Sequence, residues 1–184
     1  DALPICGLRE ALELALADAL ESGRALDAVL AESGEQRKAL WRIREAIPPA
    51  QKKEGGSIKH DVAVATSRVP EFLARATRAV EDALPGVRVC AFGHIGDGNI
   101  HFNLTQPKGA DKAAFLAEWK RMNRVVHDIV AAMDGSVSAE HGIGQLKIDE
   151  MARYKSDVEL DLMKRLKAAL DPAGVMNPGK VLPG

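Results

Sequence analysis

At 184 residues the chain can bury a core in one domain or two small ones. Its 25 basic against 26 acidic residues give no electrostatic footprint for nucleic acid or an anionic membrane surface. Charge also interrupts every apolar run well short of the ~20 residues of a membrane span.

The N-terminus, DALPICGLREALELALADAL, lacks the basic flank and small-residue cleavage site of a signal peptide. It begins on Asp rather than Met, which points to a piece of a longer protein. Cys6 and Cys90 have neither zinc-ligand spacing nor a disulfide framework, and Cys90 in VRVCAF reads as an inert buried thiol. These features together predict a reducing cytoplasmic setting, with small molecules and other protein as partners.

Leu8, Leu12, Leu16 and Leu20 recur at helical spacing and Gly23 and Gly34 interrupt the run, so residues 8–47 are predicted as three helical pieces, the last from Glu35 to Ile47. Pro48 and Pro49 are expected to stop that helix, and PPAQKKEGGS to form a mobile loop. DVAVAT at 61–66 alternates as a half-buried strand, and Val69 and Pro70 lead into an amphipathic helix over Glu71 to Ala83. VRVCAF and NIHFNLTQ read as adjacent strands joined across HIGDG. A long helix from about Asp111 to Met133 follows, with Phe115, Trp119, Met122, Val126 and Val130 on one face. SVSAE is predicted as a short strand, and helix resumes from about Lys147 to Leu170 with a break near Ser156. The order strand, helix, strand, strand, helix, strand is that of an α+β ferredoxin-like antiparallel sheet with helices on one face. N-terminal helices precede it and a C-terminal helical segment and Pro-Gly tail follow.

Two stretches concentrate the chemistry. GHIGDGNIHFN at 93–103 and SAEHGIG at 138–144 hold three of the five histidines together with Glu140. Each glycine costs about 1 kcal/mol in a helix interior, so these segments are loops by requirement. On a strand starting near Asn99, the side chains of Asn99, His101 and Asn103 share one face, while Ile100 and Phe102 share the other. His94, across the loop, can approach His101, and Glu140 is the natural third ligand. Two imidazoles and a carboxylate suit a divalent transition ion with open positions. His141 follows Glu140 directly and points to the other side unless the loop bends. It reads as a general base, since an unperturbed imidazole, with a pKa near ~6.5, can accept a proton at neutral pH. Arg44 and Lys59 can converge on an anionic substrate. His60 and His127 read as structural.

GHIGDGNIHFN, SAEHGIG and the terminal DPAGVMNPGK, in that order, resemble the C-terminal part of the FAD-linked 2-hydroxy-acid dehydrogenases of the vanillyl-alcohol-oxidase type, which act on D-lactate, glycolate or D-2-hydroxyglutarate. The resemblance covers roughly Leu40 to Gly184. It implies that residues 1–143 are a partial substrate-binding cap, and that 144–184 are a helical segment and tail packing on an FAD-binding domain outside the chain. It implies His94, His101 and Glu140 as ligands of a divalent metal, zinc or manganese, and His141 as the base. Arg44 and Lys59 are implied to hold the substrate carboxylate, Asn99 to lie near the substrate, and Asn177 to lie near the flavin ring. One departure bears on specificity. Some relatives that use D-2-hydroxyglutarate carry a threonine four residues after the arginine, where this chain has Pro48. Losing that hydroxyl turns the expectation toward D-lactate or glycolate.

The implied activity is oxidation of a small 2-hydroxy acid to the 2-oxo acid by hydride transfer to FAD. A quinone, cytochrome or electron-transfer flavoprotein would take the electrons. The enzyme is expected in the cytoplasm or peripherally at the inner face of the membrane. The present chain alone is expected to be inactive and to form a homodimer through exposed apolar surface. A stand-alone metal-dependent hydrolase with the same His, His and Glu ligands is the competing reading, but it leaves the DPAGVMNPGK tail unexplained. A third reading, a non-catalytic sensor, sits poorly with the intact His94, His101, Glu140 and His141.

Overall fold

Local sequence signals set where the chain turns before any sheet forms. The computed structural model describes residues 7–182 apart from Ile95, so Cys6 lies outside the described residues. The chain divides into two compact units, one ending at Pro48 and one beginning at Pro49.

The first unit holds α1 (Leu8–Glu21) and α2 (Gly34–Glu45). Gly23, in the left-handed region at φ 69°, closes α1. Ser33 opens α2 by accepting the Gln36 N–H. Residues 24–33 between them are not helical, which corrects the expected middle piece: Leu26 and Val29 face solvent, so no burial stabilises a helix there. The division falls inside α3 (Ile47–Lys52), whose first turn contains Pro48 and Pro49. The prolines therefore start a helix instead of stopping one. A missing N–H loses no bond in a first turn, and the residue before a proline is the one pushed out of helix.

The second unit continues with β1 (Ser57–Ile58), β2 (Asp61–Ala63), a single 3-10 turn, α4 (Val69–Ala83), β3 (Arg88–His94) and β4 (Asn99–Thr105). Then come α5 (Lys112–Ala117), α6 (Trp119–Ala131), α7 (Ile148–Tyr154) and α8 (Asp157–Leu170). The helix expected from Asp111 to Met133 is thus broken at Glu118, while Phe115 stays buried on its near side.

β4 is the centre of the sheet. It pairs antiparallel with β3 from His94↔Asn99 to Arg88↔Thr105. On its other side Ser57↔Thr105 and Asp61↔His101 lie in one register, so β1 and β2 are two pieces of a single strand. Ser136 bridges Ala63 on the outer edge of β2. The resulting order, the 136 segment, β1/β2, β4 and β3, is the ferredoxin-like arrangement within an α+β fold.

Alternation decides which face is buried. Ile58, Val62, Phe102 and Leu104 lie under Phe72, Ala76 and Val80 of α4 and Met122, Val126 and Val130 of α6. Phe72 and Phe102 meet edge to face, with ring centroids 5.5 Å apart. Cys90, opposite Asn103, is half-buried, and burial pushes its thiol up. A capping box of Ser156 and Glu159 starts α8. That helix leaves Val158, Leu162, Leu166 and Leu170 exposed as a stripe. No helix among the described residues is long and apolar enough to cross a membrane.

His60 and His127 sit inside this core, ring centroids 5.7 Å apart and edge to face. His60 donates from Nδ1 to the Phe102 carbonyl at 2.7 Å. Burial pushes both imidazoles down to about 4. An unfolded histidine titrates near ~6.5. Above that pH neither state gains protons, and stability is complete. Between 6.5 and 4 the unfolded chain binds protons that the folded chain refuses, so stability falls with pH. Urea unfolding at pH 7 and pH 5 should differ by roughly 2 kcal/mol for each buried imidazole. His127→Phe should remove about half of that difference. A midpoint indifferent to pH in this window would place both rings in water.

Candidate active site

β4 turns Asn99, His101, Asn103 and Thr105 away from the buried apolar face. At one end of this polar row Gln51 of α3 closes over the strand. Its Nε2 donates to Thr105 Oγ1 at 3.0 Å, and its Oε1 accepts from Asn103 Nδ2 at 2.9 Å. The other end meets the turn from β3. Gly98 there has φ 73°, and a Cβ on it would lie 1.9 Å from the Val64 carbonyl oxygen, so only glycine lets the turn sit against the chain leaving β2. Asp97 closes the same turn by accepting the Asn99 N–H at 2.9 Å. His94 is thereby held at the end of β3, opposite Asn99.

The second motif arrives from the outer edge of β2. The strand expected over SVSAE is reduced to the Ser136 bridge, because Ala139 N–H is shared between the Asp61 carbonyl and the Asp61 side chain and from Glu140 onward the N–H groups turn to that side chain. Asp61 Oδ2 accepts from Ala139 N at 3.2 Å, Glu140 N at 2.8 Å and His141 N at 2.7 Å. The loop therefore bends, and Glu140 and His141 reach the same place despite being consecutive.

Glu140 lies between two imidazoles. Its Oε1 is 3.2 Å from His94 Nδ1 and its Oε2 is 3.3 Å from His101 Nε2. An ion with bonds of about 2.0–2.1 Å sets tetrahedral ligand atoms roughly 3.3–3.4 Å apart, so each imidazole–carboxylate pair has ligand spacing, although the two rings face different oxygens of Glu140. A donor set of two imidazoles and one carboxylate also leaves positions open for substrate. His94 and Glu140 are each 44% exposed, which keeps that side accessible.

The His141 ring stacks on His101, centroids 5.6 Å apart and planes 28° apart, and is 61% exposed. Asp61, Asn99 and the two rings form a graded shell behind the cluster. Asn99 is buried and donates from Nδ2 to Asp61 Oδ1 at 2.9 Å, which places it behind the carboxylate and away from the open side. Asp61 Oδ1 faces His101 Nδ1 and its Oδ2 faces His141 Nδ1, each at 3.7 Å, beyond hydrogen-bond length.

Asp61 was not anticipated among the site residues. Among the described residues it groups with His101, Glu140 and His141, one ligand-type atom of each lying within 4.8 Å of the others. The available signal was a carboxylate heading an otherwise apolar alternating strand. Burial opposes its ionisation, but the His141, Glu140 and Asn99 hydrogen bonds together outweigh this and hold its carboxyl below the usual range.

The remaining expected residues fall on other elements. Lys59 is exposed between β1 and β2, on the same side of the strand as Asp61. Arg44 stands on α2, in the first unit. Asn177 is exposed in the tail with a left-handed backbone, φ 48°. The same tail is tied to the second motif where Val181 N donates to Gly144 O at 2.8 Å.

Residues 7–181 match the FAD linked oxidases, C-terminal domain. The chain belongs to that family. It is 38% identical over 162 residues to a D-2-hydroxyglutarate dehydrogenase of Stutzerimonas stutzeri (strain A1501), covering 88% of this chain and 35% of that protein. It is 36% identical over 175 residues to the mitochondrial D-2-hydroxyglutarate dehydrogenase of Arabidopsis thaliana, covering 95% and 30%. A D-2-hydroxyglutarate–pyruvate transhydrogenase of Saccharomyces cerevisiae is 32% identical over 180 residues, covering 94% and 35%. This FAD-linked oxidase C-terminal domain thus spans about a third of the length of these relatives.

After dialysis against zinc or manganese the chain should retain about one ion. His94→Ala or Glu140→Gln should weaken retention by more than the ~10–100-fold typical of losing an outer hydrogen-bond partner. Plasma mass spectrometry on the three proteins reads this directly. Equal metal in all of them would remove these residues from the ligand set.

Proposed function

We propose that this chain is the substrate- and metal-binding part of an FAD-dependent enzyme that oxidises a small 2-hydroxy acid to the 2-oxo acid. The observation that carries the reading is the convergence of His94 and His101 on Glu140, with the exposed His141 ring stacked alongside. The relatives' names make D-2-hydroxyglutarate the first substrate to consider. A specific observation favours D-lactate or glycolate as the second. Pro48, in the first turn of α3, offers neither an N–H nor a hydroxyl to a distal carboxylate.

FAD, when bound, supplies the hydride acceptor, and the domain that holds it lies outside this chain. A zinc or manganese ion held by His94, His101 and Glu140 would act as a Lewis acid on a coordinated hydroxyl. The chain's own residues do the rest. His141 turns Nδ1 toward Asp61, which leaves Nε2 to accept the substrate hydroxyl proton. The imidazolium so formed stands beside an ionised carboxylate, which stabilises it. Arg44 and Lys59 bind the substrate carboxylate, Arg44 with two parallel N–H groups. Asn99 acts near the substrate through the carboxylate it holds, and Asn177 is this chain's own contact toward the flavin.

The exposed stripe of Val158, Leu162, Leu166 and Leu170 supports the assignment of 144–184 as the segment that packs on the flavin domain. Without that domain the same stripe would draw two copies into a homodimer. Turnover requires an electron acceptor of the quinone, cytochrome or flavoprotein class.

In the full-length protein loaded with FAD, anaerobic mixing with D-2-hydroxyglutarate, D-lactate or glycolate should bleach the oxidised flavin spectrum with at least one of them. His141→Ala should slow that bleaching by about 10²–10⁴-fold, the usual share of a general base. A flavin unresponsive to all three acids would end this reading.

A further inference from the structure

We infer that Asp61 is a positioning residue of this centre and not one of its ligands. Its carboxylate pins the Ala139–His141 backbone to β2 and orients the His101 and His141 rings. The inference rests on the proposed metal and base roles of those residues for its catalytic meaning, but its geometry stands apart from them.

The argument begins with acceptor capacity. An ionised carboxylate offers about four lone-pair sites. Oδ2 already accepts three backbone N–H groups, at 3.2, 2.8 and 2.7 Å, and Oδ1 accepts the Asn99 amide at 2.9 Å. Oδ2 has no acceptor capacity left. Oδ1 keeps one lone pair but stands 3.7 Å from His101 Nδ1, the ring nitrogen turned away from Glu140, and the side chain is only 1% exposed, so Asp61 faces into the fold and not toward the open side of the centre. Three consecutive N–H groups converging on one oxygen make a nest, a concavity that selects an anion. Here the anion is built into β2.

The two rings are then sorted by the same charge. His101 and His141 both turn Nδ1 toward Asp61 at 3.7 Å. For the exposed His141 that carboxylate favours the Nδ1–H tautomer; for His101 it competes with Glu140 Oε2, 3.3 Å from Nε2, until an ion takes that side. The carboxylate leaves Nε2 of His141 as an acceptor on the open side, and with an ion held at Glu140 it would do the same for Nε2 of His101. Outer carboxylates that fix a ligating histidine this way are worth ~10–100-fold in metal affinity.

Asp61→Asn separates charge from scaffold. The buried Asn99 Oδ1 has no hydrogen-bond partner. An asparagine at position 61 can therefore keep its oxygen in the nest and donate its new N–H to Asn99 once that amide rotates. The loop is retained and only the charge is lost. The test labels the full chain with 15N-histidine and reads each ring's tautomer by NMR without metal, at a pH where the rings are neutral. Cobalt(II) is then titrated in and followed by its visible absorption.

The wild-type His141 ring should be Nδ1–H, and Asp61→Asn should move it toward Nε2–H; His101, balanced between Asp61 and Glu140 in the absence of metal, should shift in the same direction. His60, whose Nδ1–H is held by the Phe102 carbonyl, should stay unchanged and report an intact fold. Cobalt should bind Asp61→Asn about 10–100-fold more weakly, with the band shape and intensity of the wild type. Two results would overturn the inference. One is a cobalt band altered as it is in His101→Ala, which would make Asp61 a ligand. The other is a His141 tautomer that does not move. If wild-type protein takes up no cobalt at all, the metal reading fails by itself and the tautomers still decide the role of Asp61.

Discussion

Burying a carboxylate costs several kcal/mol unless hydrogen bonds replace the water it loses, and that requirement organises this fold around Asp61. Four N–H donors from two distant parts of the chain gather on it, and their combined effect keeps it ionised against the pull of burial. The consequence is architectural. A peptide that began to pair with β2 at Ser136 shares the Ala139 N–H between the Asp61 carbonyl and side chain and by Glu140 is diverted out of the ladder and onto that side chain. That diversion carries Glu140 to the two histidines. It also brings His141 over His101, and neither placement would follow from a regular fourth strand.

The apolar face of the sheet enforces the polar one. Each buried Val, Leu, Ile or Phe contributes about 1.5–3 kcal/mol. A slip of one residue in β4 would turn Ile100, Phe102 and Leu104 to the open side and drive His101 among Phe72, Val80 and Val126. Register is therefore specified by the core, and the site inherits it. Gly98 and Gly93 complete the constraint from the other direction. Side chains at either would collide with the backbone of Val64 or Asn99, so the turn presenting His94 closes only with glycine.

What could be read in the sequence was what is local. Period-two alternation marked β4 and the β3 hairpin, the helical period marked α4, and Ser156 with Glu159 marked the start of α8. His94, His101 and Glu140 stood out because each lies within a short glycine-rich motif, where composition departs from any regular element. Asp61 did not, because its partners are the backbone amides of residues 139–141, about eighty positions away in the chain. A single carboxylate at the head of an apolar strand marks the position but does not name its partners. Pro48 and Pro49 misled for a different reason. Proline both breaks helices and begins them, and which it does depends on the preceding residues' hydrogen bonds, not on proline itself. The 24–33 segment has helix-forming residues and failed to be a helix. Propensity is a weak force, and there was no surface for Leu26 and Val29 to pack against.

The centre is finished on one side and open on the other. Exposure rises from 1% at Asp61 to 44% at Glu140 and 61% at His141 across a few ångströms. Such a gradient suits a site whose rigid half is built here and whose lid comes from elsewhere. Transfer of a hydride needs a dry, closed setting in which the reacting atoms are held in line. On the proposed function the open side must be covered by the flavin and its domain. The α8 stripe is the mechanical counterpart of the same requirement, since its apolar residues recur every fourth position and have no partner surface among the buried residues of the core. The Val181–Gly144 bond links the tail that follows this helix to the loop carrying His141. That loop is therefore held at one end by the Asp61 carboxylate and at the other by the tail, so a force on the C-terminal segment would reach His141 through a backbone hydrogen bond.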